Sequence, residues 1–114
     1  FLKFNYYFCT RNFKYEIMTE KNLDLNIAIA LEIIRELPQT FNSHDFIKKY
    51  AKKTEGQYIK ELYSYGSFQY YHAQIGRILL KLSMDGTLPI IKIKEIEDES
   101  VFGYNDKIAE WRKK

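Results

Sequence analysis

Four side chains on one stretch of the sequence are spaced to do chemistry together. Within Ser67 to Met84, SFQYYHAQIGRILLKLSM, the residues Tyr70, Gln74, Arg77 and Lys81 recur at steps of four, three and four. On a helix that spacing brings them into one line. The line offers an aromatic hydroxyl, a carboxamide, a guanidinium and an ammonium, groups suited to nucleic-acid edges and phosphates. Arg pairs bidentately with guanine and Gln with adenine, each good pair giving about 1–3 kcal/mol of discrimination, so Arg77 and Gln74 are the base-reading candidates. The competing reading is an ordinary solvated helix face. Tyr70 and Tyr71 suit phosphate bonding or base stacking, and equally a partly buried place beside Phe68. Lys48, Lys49, Lys52 and Lys53 are phosphate contacts in one reading and simple solubility in the other, and only Asp45 opposes them within their own segment.

Other reactive residue types are sparse. His72 falls on an apolar stripe and reads as a buried, hydrogen-bonded histidine, because His44 is the only other histidine and no cysteine or paired carboxylates share its spacing. Ser43-His44-Asp45 reads as a helix cap, since a nucleophile needs a base within reach and a third group to orient it. Cys9 is the single cysteine, and the five glycines stand apart from one another, so neither a thiolate metal site nor a phosphate-cradling loop is indicated. No catalytic residue, metal or cofactor is expected.

The elements that must position the line can be read in order. NLDLNIAIALEIIRELP carries Ile27, Leu31 and Ile34 at helical steps, capped by Asn22 or Asp24 and stopped by Pro38. Thr40 and Phe41 suit a small edge strand. Ser43 then caps HDFIKKYAKK, with Phe46, Ile47, Tyr50 and Ala51 inward. QYIKELYSY predicts a short helix with Tyr58, Ile59, Leu62 and Tyr63 inward, ended by Gly66. In the long stretch Phe68, His72, Ile75, Leu79 and Leu82 form the buried stripe, and Ser67 caps its start. From Thr87 the period changes to two, which predicts a hairpin over Leu88 to Tyr104 with Glu97, Asp98 and Glu99 at its tip. Asn105 or Asp106 would cap a last helix, KIAEWRKK, docked by Ile108 and Trp111.

This order of helix, short strand, helix, extra turn, long helix and hairpin resembles the winged helix-turn-helix superfamily over about residues 22 to 113. The resemblance rests on Phe41 before Ser43, on the stripe Ile75, Leu79 and Leu82, and on Asp85-Gly86-Thr87 leading into the hairpin. It implies a mainly α domain with a small β-hairpin (α+β, three to five helices), whose long helix enters the major groove of DNA while the hairpin lies on the adjacent backbone or minor groove. The insertion Thr54 to Gly66 and the acidic hairpin tip depart from that pattern.

At 114 residues the chain is one domain's worth. The first 17 residues do not begin with Met, show no periodicity, and take 12 of their number from Phe, Lys, Asn, Tyr and Ile, the set that A/T-rich untranslated DNA yields. They read as upstream sequence or a disordered arm, with Met18 as the expected start and 18–114 as one winged-helix-like domain. Without them the net charge falls from +3 to +1, so the distribution matters more than the total. Residues 44 to 84 hold seven Lys or Arg against Asp45, Glu55 and Glu61, whereas residues 85 to 105 hold Lys92 and Lys94 against five acids. The expected function is a cytoplasmic regulator that binds double-stranded DNA as a homodimer, through Tyr70, Gln74, Arg77, Lys81, Lys48, Lys49 and Lys52. The last helix with Trp111, or the leader, would supply the dimer contact. The alternative is a winged-helix protein-interaction module, with a protein partner at the acidic hairpin and no nucleic acid. No membrane span is expected, since no apolar run approaches 20 residues.

Overall fold

The computed structural model describes residues 25–100 and 103–114. The expectations for the leader, Met18 and a cap at Asn22 or Asp24 fall outside them. The order is α1 (Ile27–Glu36), β1 (Thr40–Asn42), α2 (Ser43–Lys53), α3 (Glu55–Tyr65), α4 (Phe68–Met84), β2 (Ile90–Glu99) and β3 (Asn105–Lys113). The domain is therefore α+β, four helices with a three-stranded antiparallel sheet of order β1-β3-β2.

Local chemistry sets most helix ends. Asn26 caps α1, its side chain accepting from Ile29 N. At α2 the cap is Asn42 and not Ser43. The Asn42 side chain accepts from Asp45 N at 2.9 Å while the Asp45 carboxylate accepts from Asn42 N at 3.0 Å, the reciprocal box that satisfies two otherwise orphaned donors. Ser43, one residue inside, is thereby released to contact the sheet. Gly66 separates α3 from α4 in the left-handed region at φ 78°, and Ser67 caps α4 by accepting from Tyr70 N.

The C-terminal segment is a strand, not the expected helix. Ile108 and Trp111 are three apart, which fits a helical face, but ten residues of β2 present a ladder of backbone groups that must be paired. Asn105–Lys113 supplies that pairing on one side and covers β1 on the other, with Ile96 opposite Ile108 and Phe41 opposite Trp111. The hairpin is consequently longer than expected. Glu97, Asp98 and Glu99 lie in the ladder opposite Lys107, Asp106 and Asn105, and the chain reverses beyond them, with Gly103 at φ 89°. An extra residue, Ile93, bulges β2 between Lys92 and Lys94.

The core joins Ala30, Ile33 and Ile34 of α1, Phe46, Ile47 and Tyr50 of α2, and Tyr71, Ile75 and Leu79 of α4 to Phe41, Leu88, Ile90 and Trp111. The long-helix stripe is thus placed as expected. On α3 the inward set is Tyr58, Leu62 and Tyr65, whereas Ile59 and Tyr63 point outward, 56% and 88% exposed. The cause is the crossing of α3 over the start of α4, where Tyr65 and Tyr58 both pack on Tyr71 at 5.3 Å between ring centres. No helix among the described residues is long and apolar enough to cross a membrane.

Candidate functional site

Burial along α4 separates the four line residues into two pairs. Arg77 and Lys81 are exposed, while Gln74 and Tyr70 are half-buried. Tyr70 meets Tyr65 edge-on at 5.2 Å, so its ring is part of the seam between α3 and α4. Among the described residues neither Arg77 nor Lys81 makes an ion pair.

The lysines of α2 divide as well. Lys49 Nζ lies 3.5 Å from Glu36, and Lys53 Nζ lies 3.0 Å from both Glu32 and Glu36. The opposing acids come from α1, where the sequence of α2 could not display them. Lys53 donates to the Glu36 carboxylate and holds it below its usual range; the same bond raises the Lys53 ammonium. Lys48 and Lys52 are exposed and make no ion pair among the described residues. They are the stronger phosphate candidates of the group, with Lys49 held on α1.

A groove of about 450 Å³ lies between α4, the start of α2 and the hairpin. Ile47, Ala73, Gly76, Leu80, Ile108 and Trp111 supply apolar wall, and Arg77, Lys92, Glu95, Asp106 and Lys107 supply charge. Gly76 lines this space, and a Cβ built on it meets no atom within 4 Å. Gly76→Ala is expected to stabilise the fold by about 0.5–1 kcal/mol, since glycine is a poor helix residue and nothing obstructs the methyl group. Thermal melting should rise by roughly 3–6 °C. A fall in melting temperature would show that the glycine is needed for backbone geometry.

The two histidines sit close to this groove and differ in their partners. His72 Nε2 is 2.6 Å from the Tyr58 hydroxyl, and burial pushes its pKa down to about 4, helped by the neighbouring His44 and opposed by Asp106. The expected buried, hydrogen-bonded histidine is what is found. His44 is buried at the start of α2 and turned to the hairpin, with Nδ1 at 2.8 Å from Asp98 and Nε2 at 4.0 Å from Asp106. Asp98 and Asp106 face each other across the ladder, and the His44 ring reaches towards both. Tyr71, fully buried, donates to Glu61 at 2.6 Å, and burial together with that carboxylate raises its hydroxyl pKa.

Ser43 Oγ accepts from Trp111 Nε1 at 2.9 Å and lies 3.5 Å from the Ala109 carbonyl, so it is oriented on the sheet and not on His44. Among the described residues no three His, Cys, Asp or Glu side chains are grouped to hold a metal ion. No protein-family model, curated protein or solved structure matches this chain. The partnerships of Asp98 and Asp106 with His44, of Tyr58 with His72 and of Glu61 with Tyr71, and the place of Lys107 on the groove, were not legible in the sequence, because they depend on hairpin register and on how α3 crosses α4. The one available signal was His44 itself, a titratable side chain beside a cap.

Proposed function

We propose that this chain is a winged-helix DNA-binding protein that reads the major groove with α4 and acts as a transcriptional regulator. The observation that carries the reading is the exposed pair Arg77 and Lys81 on α4, unpaired among the described residues and flanked by the hairpin. Element order and the β1-β3-β2 sheet support it, since they set a long helix beside a hairpin as the resemblance implies. Arg77 and Gln74 contact bases, Lys81, Lys48 and Lys52 contact phosphates, and Tyr70 supports α4 from the α3 side. The acids Glu97 to Glu99 keep the outer hairpin away from the phosphate backbone.

A second reading has a specific observation behind it. Ile59 and Tyr63 are one turn apart and outward on α3, an apolar pair suited to a protein interface. Trp111 is buried in the sheet and cannot supply the dimer contact expected of it, so a homodimer would use this pair. Two half-sites on one duplex then multiply the specificity of a single helix.

Titration of a random-sequence duplex at about 50 and 200 mM salt tests the proposal. Binding is expected at the lower salt, and the Lys48→Ala, Lys52→Ala double variant should flatten the salt dependence by about two phosphate contacts. Arg77→Ala should cost about 1–3 kcal/mol and relax preference at one base position. No binding at the lower salt would overturn the DNA reading and leave the interaction module.

A further inference from the structure

We infer that the groove between α4 and the hairpin binds a small organic monocarboxylate with an apolar body, held by Arg77, and that its occupation withdraws Arg77 from DNA. The second half rests on the DNA reading; the first does not. A volume of about 450 Å³ lies within the range of small-molecule sites, about 300–1,000 Å³. The space also has a structural cost. A glycine inside a helix is worth about 1 kcal/mol less than alanine, and packing does not require this one, because a Cβ at Gly76 would meet nothing. The bulge at Ile93 lies on the facing strand, between Lys92 and Lys94. Lys92, on one side of that bulge, and Gly76 both line the groove.

The charges select the ligand. Lys92 is bound to Glu95 at 3.1 Å, and Asp106 lies 4.0 Å from His44 Nε2. Arg77 and Lys107 are left as cations with no ion pair among the described residues. His72, neutral near pH 7, contributes no charge to the wall. A carboxylate matches the guanidinium fork of Arg77 with two parallel hydrogen bonds. A ligand cation would meet Arg77 and Lys107, and its acidic partners are already engaged. A second anionic group would lie against the apolar walls at Ala73, Leu80 and Ile108. A monoanion with an apolar body satisfies both sets of groups.

Trp111, the only tryptophan in the chain, lines the groove and reports on it. The probes are 3-phenylpropanoate and its uncharged counterpart 3-phenylpropanamide, titrated into the full chain with tryptophan fluorescence as the readout. The acid is expected to saturate below about 10 mM and to bind at least tenfold more tightly than the amide. Arg77→Gln should reduce the acid to the level of the amide, and Gly76→Leu should abolish both. If the leucine variant does not fold, Gly76→Ala replaces it and should weaken the acid severalfold. No saturable signal with the acid, equal binding of the amide, or unchanged binding in the position-76 variant would each overturn the site. For the second half, DNA binding is measured with 3-phenylpropanoate and with sodium acetate at equal concentration. Weakening by the first alone is expected; equal effects would overturn the competition while leaving the fluorescence result to decide the site. A chain that never binds DNA removes the competition and not the carboxylate site.

Discussion

Trp111→Ala is expected to destabilise the protein by about 3–5 kcal/mol, the usual cost of emptying a buried large aromatic position. Trp111 is 1% exposed and is among the largest fully buried side chains. It stands on β3 opposite Phe41 of β1 and donates to Ser43 Oγ, so one side chain ties together the sheet, its edge strand and the start of α2. Truncation removes the packing and leaves the Ser43 hydroxyl without its donor, a further cost when the group stays buried. Against a typical domain stability of about 5–15 kcal/mol, the loss leaves little in reserve. Urea denaturation of the full chain measures it, with Ser43→Ala as the control for the hydrogen bond alone. A loss below about 1 kcal/mol would be the value for a residue docked on the outside, and would contradict the place of Trp111 in the sheet.

The second large effect is on the pH dependence of stability. His72 has a folded-state pKa of about 4 against an ordinary value of 6.5, caused first by burial and then by the charge of His44, with Asp106 acting in the opposite sense. Because the folded value is the lower one, the unfolded chain holds a proton that the folded chain lacks between those two values. Stability must then fall as pH drops from about 6.5 towards 4 and level off below. One pKa unit corresponds to about 1.4 kcal/mol, and allowing for screening by nearby solvent the expected loss is on the order of 2 kcal/mol. His72→Gln should remove this slope. The loss of the Tyr58 partnership in that variant adds a pH-independent offset, which does not alter the difference in slope. Glu36 and Asp85, whose carboxyls are held low by Lys53 and by Thr87, lose their contributions at more acid pH and do not obscure the window. Equal slopes in the two proteins between pH 6.5 and 4.5 would show that His72 is not held neutral by the fold.

The elements that could be read ahead of the structure share a property: their causes are local. Gly66 and Ser67 mark the boundary before α4, and both act through backbone groups within a turn of themselves. The stripe Ile75 and Leu79 repeats at the period of a helix and needs only a neighbouring apolar surface to bury it. Even His72 could be placed, because a lone histidine on such a stripe has nowhere to go but inward.

What was misread depends on partners distant in sequence. Lys107 to Trp111 fits a helical spacing better than a strand alternation, since Ile108 and Trp111 are three apart, and β2 and β1 override it by offering backbone groups on both sides. Ile59 and Tyr63 match the spacing of a buried face, but α3 is rotated so that Tyr58, Leu62 and Tyr65 meet α4. Lys49 and Lys53 have only Asp45 against them within their own segment, but Glu32 and Glu36 on α1 stand within 3.0–3.5 Å of them.

The line Tyr70, Gln74, Arg77 and Lys81 shows both kinds of determination. Its alignment follows from 3.6 residues per turn, which the sequence alone determines. Which members are available to a ligand follows from where α3 and the hairpin lie, and only the tertiary structure decided that Tyr70 serves the α3 seam while Arg77 stands at the rim of a groove. The same holds for the groove itself. Gly76 and Trp111 are 35 positions apart in the chain, and the space between them exists because the hairpin folds back along α4, an outcome of long-range packing to which no local spacing refers.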